Sequence, residues 1–264
     1  MKRYSSIKII ASFLLILGTI GCTDLEETTY SELSKSNFYN NKLEIIQATL
    51  RPFTHMQAWL AFTGQNGYYY MNELSADQVA WPQKGRHGYD NGDHIRMHYH
   101  TYTPQEGRIQ NAWSLMWTGV GYVNSAIEDI EQVDPAQANV TQEELESLIA
   151  ESKVLRAYHY MKIMDLWGNV PIVTQVGIPE NPETQSREAV FNFVEAELLE
   201  NVEKLQPLSP QLLGRVSRAV GYSMLSELYL NAQVWSGQER WDDCIKYADK
   251  VINGEGGSLT GNMQ

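Results

Sequence analysis

The chain has 264 residues, 43% of them hydrophobic and 20% charged, enough apolar material for a substantial core and the composition of an ordinary globular protein. Its formal charge is −12, and removing the three positive charges of residues 1–21 takes it to −15. A surface that acidic repels a phosphate backbone, which argues against nucleic-acid binding. The two cysteines, Cys22 and Cys244, are too few for a disulfide framework.

Lys2, Arg3 and Lys8 form a positive n-region, and the apolar run Ile9 to Ile20 that follows is shorter than a membrane span, so residues 1–21 read as a signal peptide. Gly21 stands before Cys22. A small residue before a cysteine matches a lipoprotein cleavage site, where Cys22 becomes the mature N-terminus and takes diacylglycerol on sulfur and a further acyl chain, such as palmitate, on nitrogen. Thr19 departs from the usual Leu three residues before the cysteine. Several acyl chains give stable anchoring, so the mature protein is expected to be anchored to a membrane and not to span it. Asp24, Glu26 and Glu27 follow. They look like an acidic export tag for the outer face, and read equally well as a solvated tether over 22–36.

A helix is expected over Ile45/Ile46, Thr49/Leu50, Phe53, Met56 and Leu60, kinked or broken near Arg51 by Pro52. Residues 62–108 hold six glycines, two prolines and eight aromatics without a sustained period, which predicts a long irregular loop insertion of the kind that carries function. The stripe Ile109, Trp113, Met116, Val120, Val123, Ile127, Ile130 predicts a helix ended by Asp134-Pro135. Thr141 and Glu144 make a capping box for the next helix, which runs to about Trp167 and stops at Gly168. Its second half is apolar nearly all round, as a helix buried between neighbours would be. Ser186 opens a helix carrying Val190, Val194, Leu198, Val202 and Leu205. Ser217 opens another through Leu225, Leu228, Tyr229 and Ala232, and the last holds Trp241, Cys244/Ile245, Ala248 and Val251/Ile252.

Leu225, Ser226 and Tyr229, then Cys244, Ala248 and Val251, resemble the two helices of a tetratricopeptide repeat, and the helices at 143–167 and 186–205 form a similar pair around a longer insert. Such pairs cannot bury their apolar faces alone and must stack. The expected fold is all-α: tetratricopeptide-like helical repeats over 37–264 with the irregular insertion at 62–108.

Several constellations bear on chemistry. Arg156 lies in an apolar helix and needs a partner, for which Glu151 and Asp165 are the local candidates. His94, His98 and His100 lack an acidic or cysteine ligand at a familiar metal spacing and read as solvated loop histidines. Cys244 reads as an isolated buried thiol. The pairs Glu73/Asp77, Glu128/Glu131 and Glu143/Glu144 lie mostly on polar helix faces, and none of the GxSxG, HExxH, GxGxxG or P-loop patterns occurs, so no enzyme, metal or cofactor is expected. The aromatic segment is the sharper candidate. Tyr68, Tyr69, Tyr70, Trp81 and Tyr89 offer planes on which sugar faces stack, and Asn66, Asn72, Asp90 and Asn91 offer groups for hydroxyls, with Trp81 the first to test.

The stretches Ala150 to Met161 (AESKVLRAYHYM) and Asp165 to Ile172 (DLWGNVPI), with Gly214 to Ala219 (GRVSRA), Leu225 to Leu230 (LSELYL) and Trp241…Ala248 to Ile252, resemble signature blocks of the SusD/RagB nutrient-uptake family. So do Glu73 to Asp77 (ELSAD) upstream and Trp113, Trp117, Gly119, Asn124 and Ile127 in their spacing, and the blocks run in family order. The resemblance implies a surface-exposed lipoprotein of the outer membrane that captures oligosaccharides or polysaccharides for a SusC-like TonB-dependent transporter, without catalysis or cofactor. It also implies a C-terminal half, which supplies much of the family's ligand contact and which this sequence does not contain. A peptide-binding uptake protein or a pure protein-interaction module is the alternative.

Overall fold

The computed structural model describes residues 38–60, 67–177 and 181–257. The signal peptide, Cys22, the tether, Gly64 and Asn66 lie outside the described residues. The helices are α1 (Lys42–Leu60), α2 (Tyr68–Ser75), α3 (Asp93–His98), α4 (Gly107–Ile130), α5 (Gln142–Trp167), α6 (Arg187–Asn201), α7 (Arg218–Leu230), α8 (Ala232–Ser236) and α9 (Trp241–Ile252). A two-residue hairpin ladder, β1 (Val170–Pro171) against β2 (Thr184–Gln185), closes the base of the α5–α6 insert. The architecture is all-α.

Packing follows the chain: α1 lies on α4, α4 on α5, α5 on α6, and α7 pairs with α9. The main core joins Val154, Tyr160, Met161 and Met164 of α5 to Val190, Phe191, Val194 and Leu198 of α6 and to Leu225 and Leu228 of α7. A second cluster gathers Ile45 with Ala126, Ile130, Leu145 and Leu148. α5 begins on the predicted capping box, in which Thr141 accepts from the Glu144 N–H while the Glu144 carboxylate accepts from the Thr141 N–H, satisfying two orphan donors. It ends at Gly168, whose φ of +72° suits glycine. Ser186 and Ser217 cap α6 and α7 as expected, accepting from Ala189 and Val220.

Several expectations are corrected. α1 continues through Pro52 without a break, with Ile45 and Thr49 buried before the proline and Trp59 after it. The 62–108 segment is not wholly irregular, since it contains α2 and α3. Trp113 stands 37% exposed on α4, outside the buried stripe. In α9 the buried residue is Tyr247, against Tyr222 and Tyr229, while Ile245 and Ile252 face outward. Cys244 is half-buried, with the Ser226 hydroxyl donating to its carbonyl.

Candidate ligand-binding site

α2 buries Tyr70, Met71 and Leu74 against Met97 of α3 and Ala112 of α4, and Val79 and Trp81 pack on the same cluster. The chain leaving α2 doubles back through a tight turn in which Lys84 and His87 exchange backbone hydrogen bonds of 2.8 and 3.0 Å. Gly88, at φ +77°, then passes so close to Trp81 that a Cβ there would lie 3.0 Å from the indole Nε1. Only glycine lets the returning strand lie against that ring edge.

The next turn sets the support for the indole. Asp90, Asn91 and Gly92 all have positive φ, and this coil presents the Asp90 carboxylate to His94 Nε2 at 2.5 Å. A carboxylate only accepts, so Nε2 donates, and Nδ1 meets the Tyr70 hydroxyl at 2.6 Å. His94 is 1% exposed, and its ring stacks on Trp81 at 4.6 Å and 10°. Burial pushes the Tyr70 hydroxyl up to about 12. Charges brace the assembly from outside: Arg108 Nε donates to Asp93 at 2.9 Å and its guanidinium lies 5.2 Å from the Tyr70 ring centre. Arg96 donates to Glu106, to Asp93 and to the Asn91 carbonyl, and its bond holds the Glu106 carboxyl below the usual carboxylate range. The result is a partly exposed indole held on one side by a histidine that is itself fixed by two hydrogen bonds. Such an arrangement holds the indole rigid, and its exposed part offers a stacking surface.

The anticipated residues separate into three groups. Trp81, Tyr70 and Asp90 meet at His94, and Tyr89, 53% exposed, is next to them in the turn. Tyr70 is 1% exposed, so it supports the platform and presents no face of its own. Tyr68 is half-buried on the other side of α2, donating to Asp165 at 2.8 Å, and Asn72 lines a separate cleft of about 380 Å³ with Tyr102, Asp165 and Trp167. Tyr69, 47% exposed, belongs to neither. His94 is the residue that sequence reasoning misplaced: it is a buried support, not a solvated loop histidine. The signal available was Asp90 four residues before it; nothing in the spacing pointed to Tyr70 or Trp81.

Arg156 corrects a second reading. Its guanidinium makes two bonds of 2.9 Å to Glu197 on α6, and reaches Asn124 at 3.0 Å and the Thr174 carbonyl at 3.1 Å. The two carboxylates expected as partners are engaged elsewhere, Glu151 by Arg215 and Asp165 by Tyr68.

Residues 25–230 match the model of a family described as starch-binding and associating with the outer membrane, the SusD-like family. Over 193 residues the chain is 25% identical to the starch-binding protein SusD of Bacteroides thetaiotaomicron, covering 72% of this chain and 33% of that protein. It is 26% identical over 171 residues to a SusD-like protein of Bacteroides ovatus, covering 61% of this chain and 30% of that one. Among solved structures, a laminarin-binding SusD-like protein superposes with a TM-score of 0.67 at 20% identity, over 82% of this chain and 44% of the other. A surface glycan-binding protein A from Bacteroides uniformis does so at 0.65 and 16%, over 82% and 47%. The fold is therefore shared, and the chain spans about a third of the length of the curated relatives it matches.

Proposed function

The chain belongs to the SusD-like family, and from that membership we propose that it is a surface lipoprotein, acylated at Cys22, that captures a glycan and presents it to a SusC-like TonB-dependent transporter of the outer membrane. It binds and does not turn over its ligand, and it needs no cofactor. The observation that carries the site is the Trp81 indole stacked on the buried His94, because a ring already immobilised loses little freedom when a sugar face closes on it. Tyr89 and Asp90 in the adjoining turn complete the contact with an aromatic edge and a hydroxyl acceptor.

Native gels cast with soluble starch, laminarin or other neutral polysaccharides test this reading, with calorimetry for affinities. At least one polysaccharide is expected to retard the protein. Stacking a sugar on about 50–100 Å² of indole contributes about 1–2.5 kcal/mol, so Trp81→Ala weakens binding by about one to two decades. Trp81→Phe keeps a ring on His94 and retains most of the affinity. Unchanged binding in a folded Trp81→Ala protein removes Trp81 from the site. Release of reducing sugar by purified protein overturns the non-catalytic reading, and an unmodified Cys22 in mass spectra of native protein overturns the anchor.

A further inference from the structure

The cleft of about 380 Å³ beside Asn72 lies between α2, the end of α5 and the chain that enters α4. Its apolar lining includes Met71 of α2, Met97 of α3 and Ile109 of α4, and two of these, Met71 and Met97, are buried in the cluster under α2. Two rings join them: Trp167, the last residue of α5, and Tyr102, 43% exposed in the connection from α3 to α4.

The charge of the cleft rests on one group. Asp165 is the charged side chain among the described residues that line it. The carboxylate lies half-buried in the last turn of α5, a turn with no basic residue. Unsatisfied carbonyls give the C-terminus of a helix partial negative charge, so the helix end and the carboxylate reinforce each other. Among the described residues its one partner is the Tyr68 hydroxyl, which donates to one oxygen at 2.8 Å and brings no charge. Neighbouring cations are matched elsewhere: Lys162 holds Glu227 at 2.6 Å, Arg96 holds Glu106 and Asp93, and Arg108 holds Asp93. His100 gives its Nε2–H to the Ser75 carbonyl at 2.7 Å.

That lining selects among ligands. An anion is repelled. A sugar ring would turn hydroxyls onto Met71, Met97 and Ile109, where nothing answers them. No group of three metal-ligating side chains occurs among the described residues, so a metal ion would find a single carboxylate. An ammonium group on an apolar body satisfies every part: carboxylate and helix end for its charge, aromatic rings for the cation, methionines for the hydrocarbon.

We propose that this cleft is a binding site for an organic amine, with Asp165 as its counter-charge and Tyr102 and Trp167 as its aromatic walls. The site shares no lining residue with the Trp81 platform and stands apart from the glycan reading.

Calorimetric titration of the full chain tests it with three probes of one shape: phenethylamine, its neutral isostere phenethyl alcohol, and the anion hydrocinnamate. Sodium chloride at about 0.15 M screens distant surface charges. The amine is expected to bind with a Kd of about 1 mM, the alcohol about tenfold more weakly, and the anion not at all. Asp165→Asn, whose side-chain oxygen still accepts from Tyr68, is expected to weaken the amine about tenfold and leave the alcohol unchanged. Tyr102→Ala, a change at an exposed ring, is expected to weaken the amine about threefold. Trp81→Ala is expected to leave amine affinity as it was. Equal affinity for amine and alcohol overturns the proposal, as does amine binding that survives both Asp165→Asn and Tyr102→Ala. No amine binding up to about 10 mM overturns it as well. If Asp165→Asn fails to fold, the probe comparison and Tyr102→Ala still decide.

Discussion

Arg156 is 5% exposed and its ion pair with Glu197 joins α5 to α6. That this arginine would be buried and paired was legible, because it sits in an uninterrupted apolar run. The partner was not, because Glu197 is 41 residues away on a helix whose acids look like a solvated face. Replacing Arg156 by Met leaves Glu197 charged beneath the surface and strands Asn124 and the Thr174 carbonyl. Urea denaturation should show a loss of about 3–5 kcal/mol. Arg156→Lys should recover only part of it, since one ammonium cannot reproduce the paired bonds of a guanidinium. His159 is the other informative residue at this scale. Gly119 on α4 admits its ring so closely that a Cβ there would lie 2.6 Å from Nε2, and burial holds its pKa down to about 4. The unfolded chain takes up that proton near pH 6.5, before the folded chain does. The stability from a neutral His159 is thus complete above about pH 6.5 and is lost as pH falls toward 4, at up to about 1.4 kcal/mol per pH unit. Urea midpoints measured across this window should flatten in His159→Gln.

Helix boundaries were legible where periodicity was long and the caps were chemically specific. α5, α6 and α7 begin where Thr141, Ser186 and Ser217 were read as caps, and α5 ends at Gly168 as read. α2 was hidden because Tyr68, Tyr69 and Tyr70 favour strands and leave only eight residues in which to see a period. Burial of Tyr70, Met71 and Leu74 overrides that preference, which no local rule reveals. In α9 the stripe was read on Trp241, Cys244/Ile245, Ala248 and Val251/Ile252; Cys244 and Val251 pack on the core and Ile245 and Ile252 face outward, while the helix turns Tyr247 inward, where its ring reaches Tyr229 at 5.8 Å. The pairing of α7 with α9 makes Leu228, with no exposed surface, a test of this element. Leu228→Ala should cost about 2–5 kcal/mol in urea denaturation, for lost transfer energy and the cavity left behind. A change below about 0.5 kcal/mol would place the residue outside the core.

At the scale of the molecule, fold class was legible from stacked amphipathic helices, and so was the aromatic segment that holds Trp81, Tyr70, Asp90 and Tyr89, whereas the buried His94 that joins three of them was not. The net charge of −12 predicts how the binding of a neutral glycan depends on salt. A neutral ligand gains nothing from the net charge, so raising sodium chloride from about 0.05 to 0.5 M should change glycan affinity by less than about twofold. A steep salt dependence in calorimetry would point to a charged ligand instead. The α5–α6 insert, pinned by Arg156 at the Thr174 carbonyl, has a consequence for exchange with solvent deuterium. Segment 172–177 has no helix or ladder of its own, yet the Val173 N–H is bound by Tyr160 and that residue is 8% exposed. Its amide should open only with the protein as a whole, surviving in heavy water alongside the amides of α5, while the exposed Val176 amide, held by Glu128 at the surface, exchanges sooner. Tyr160→Phe should release it to the rate of an ordinary loop.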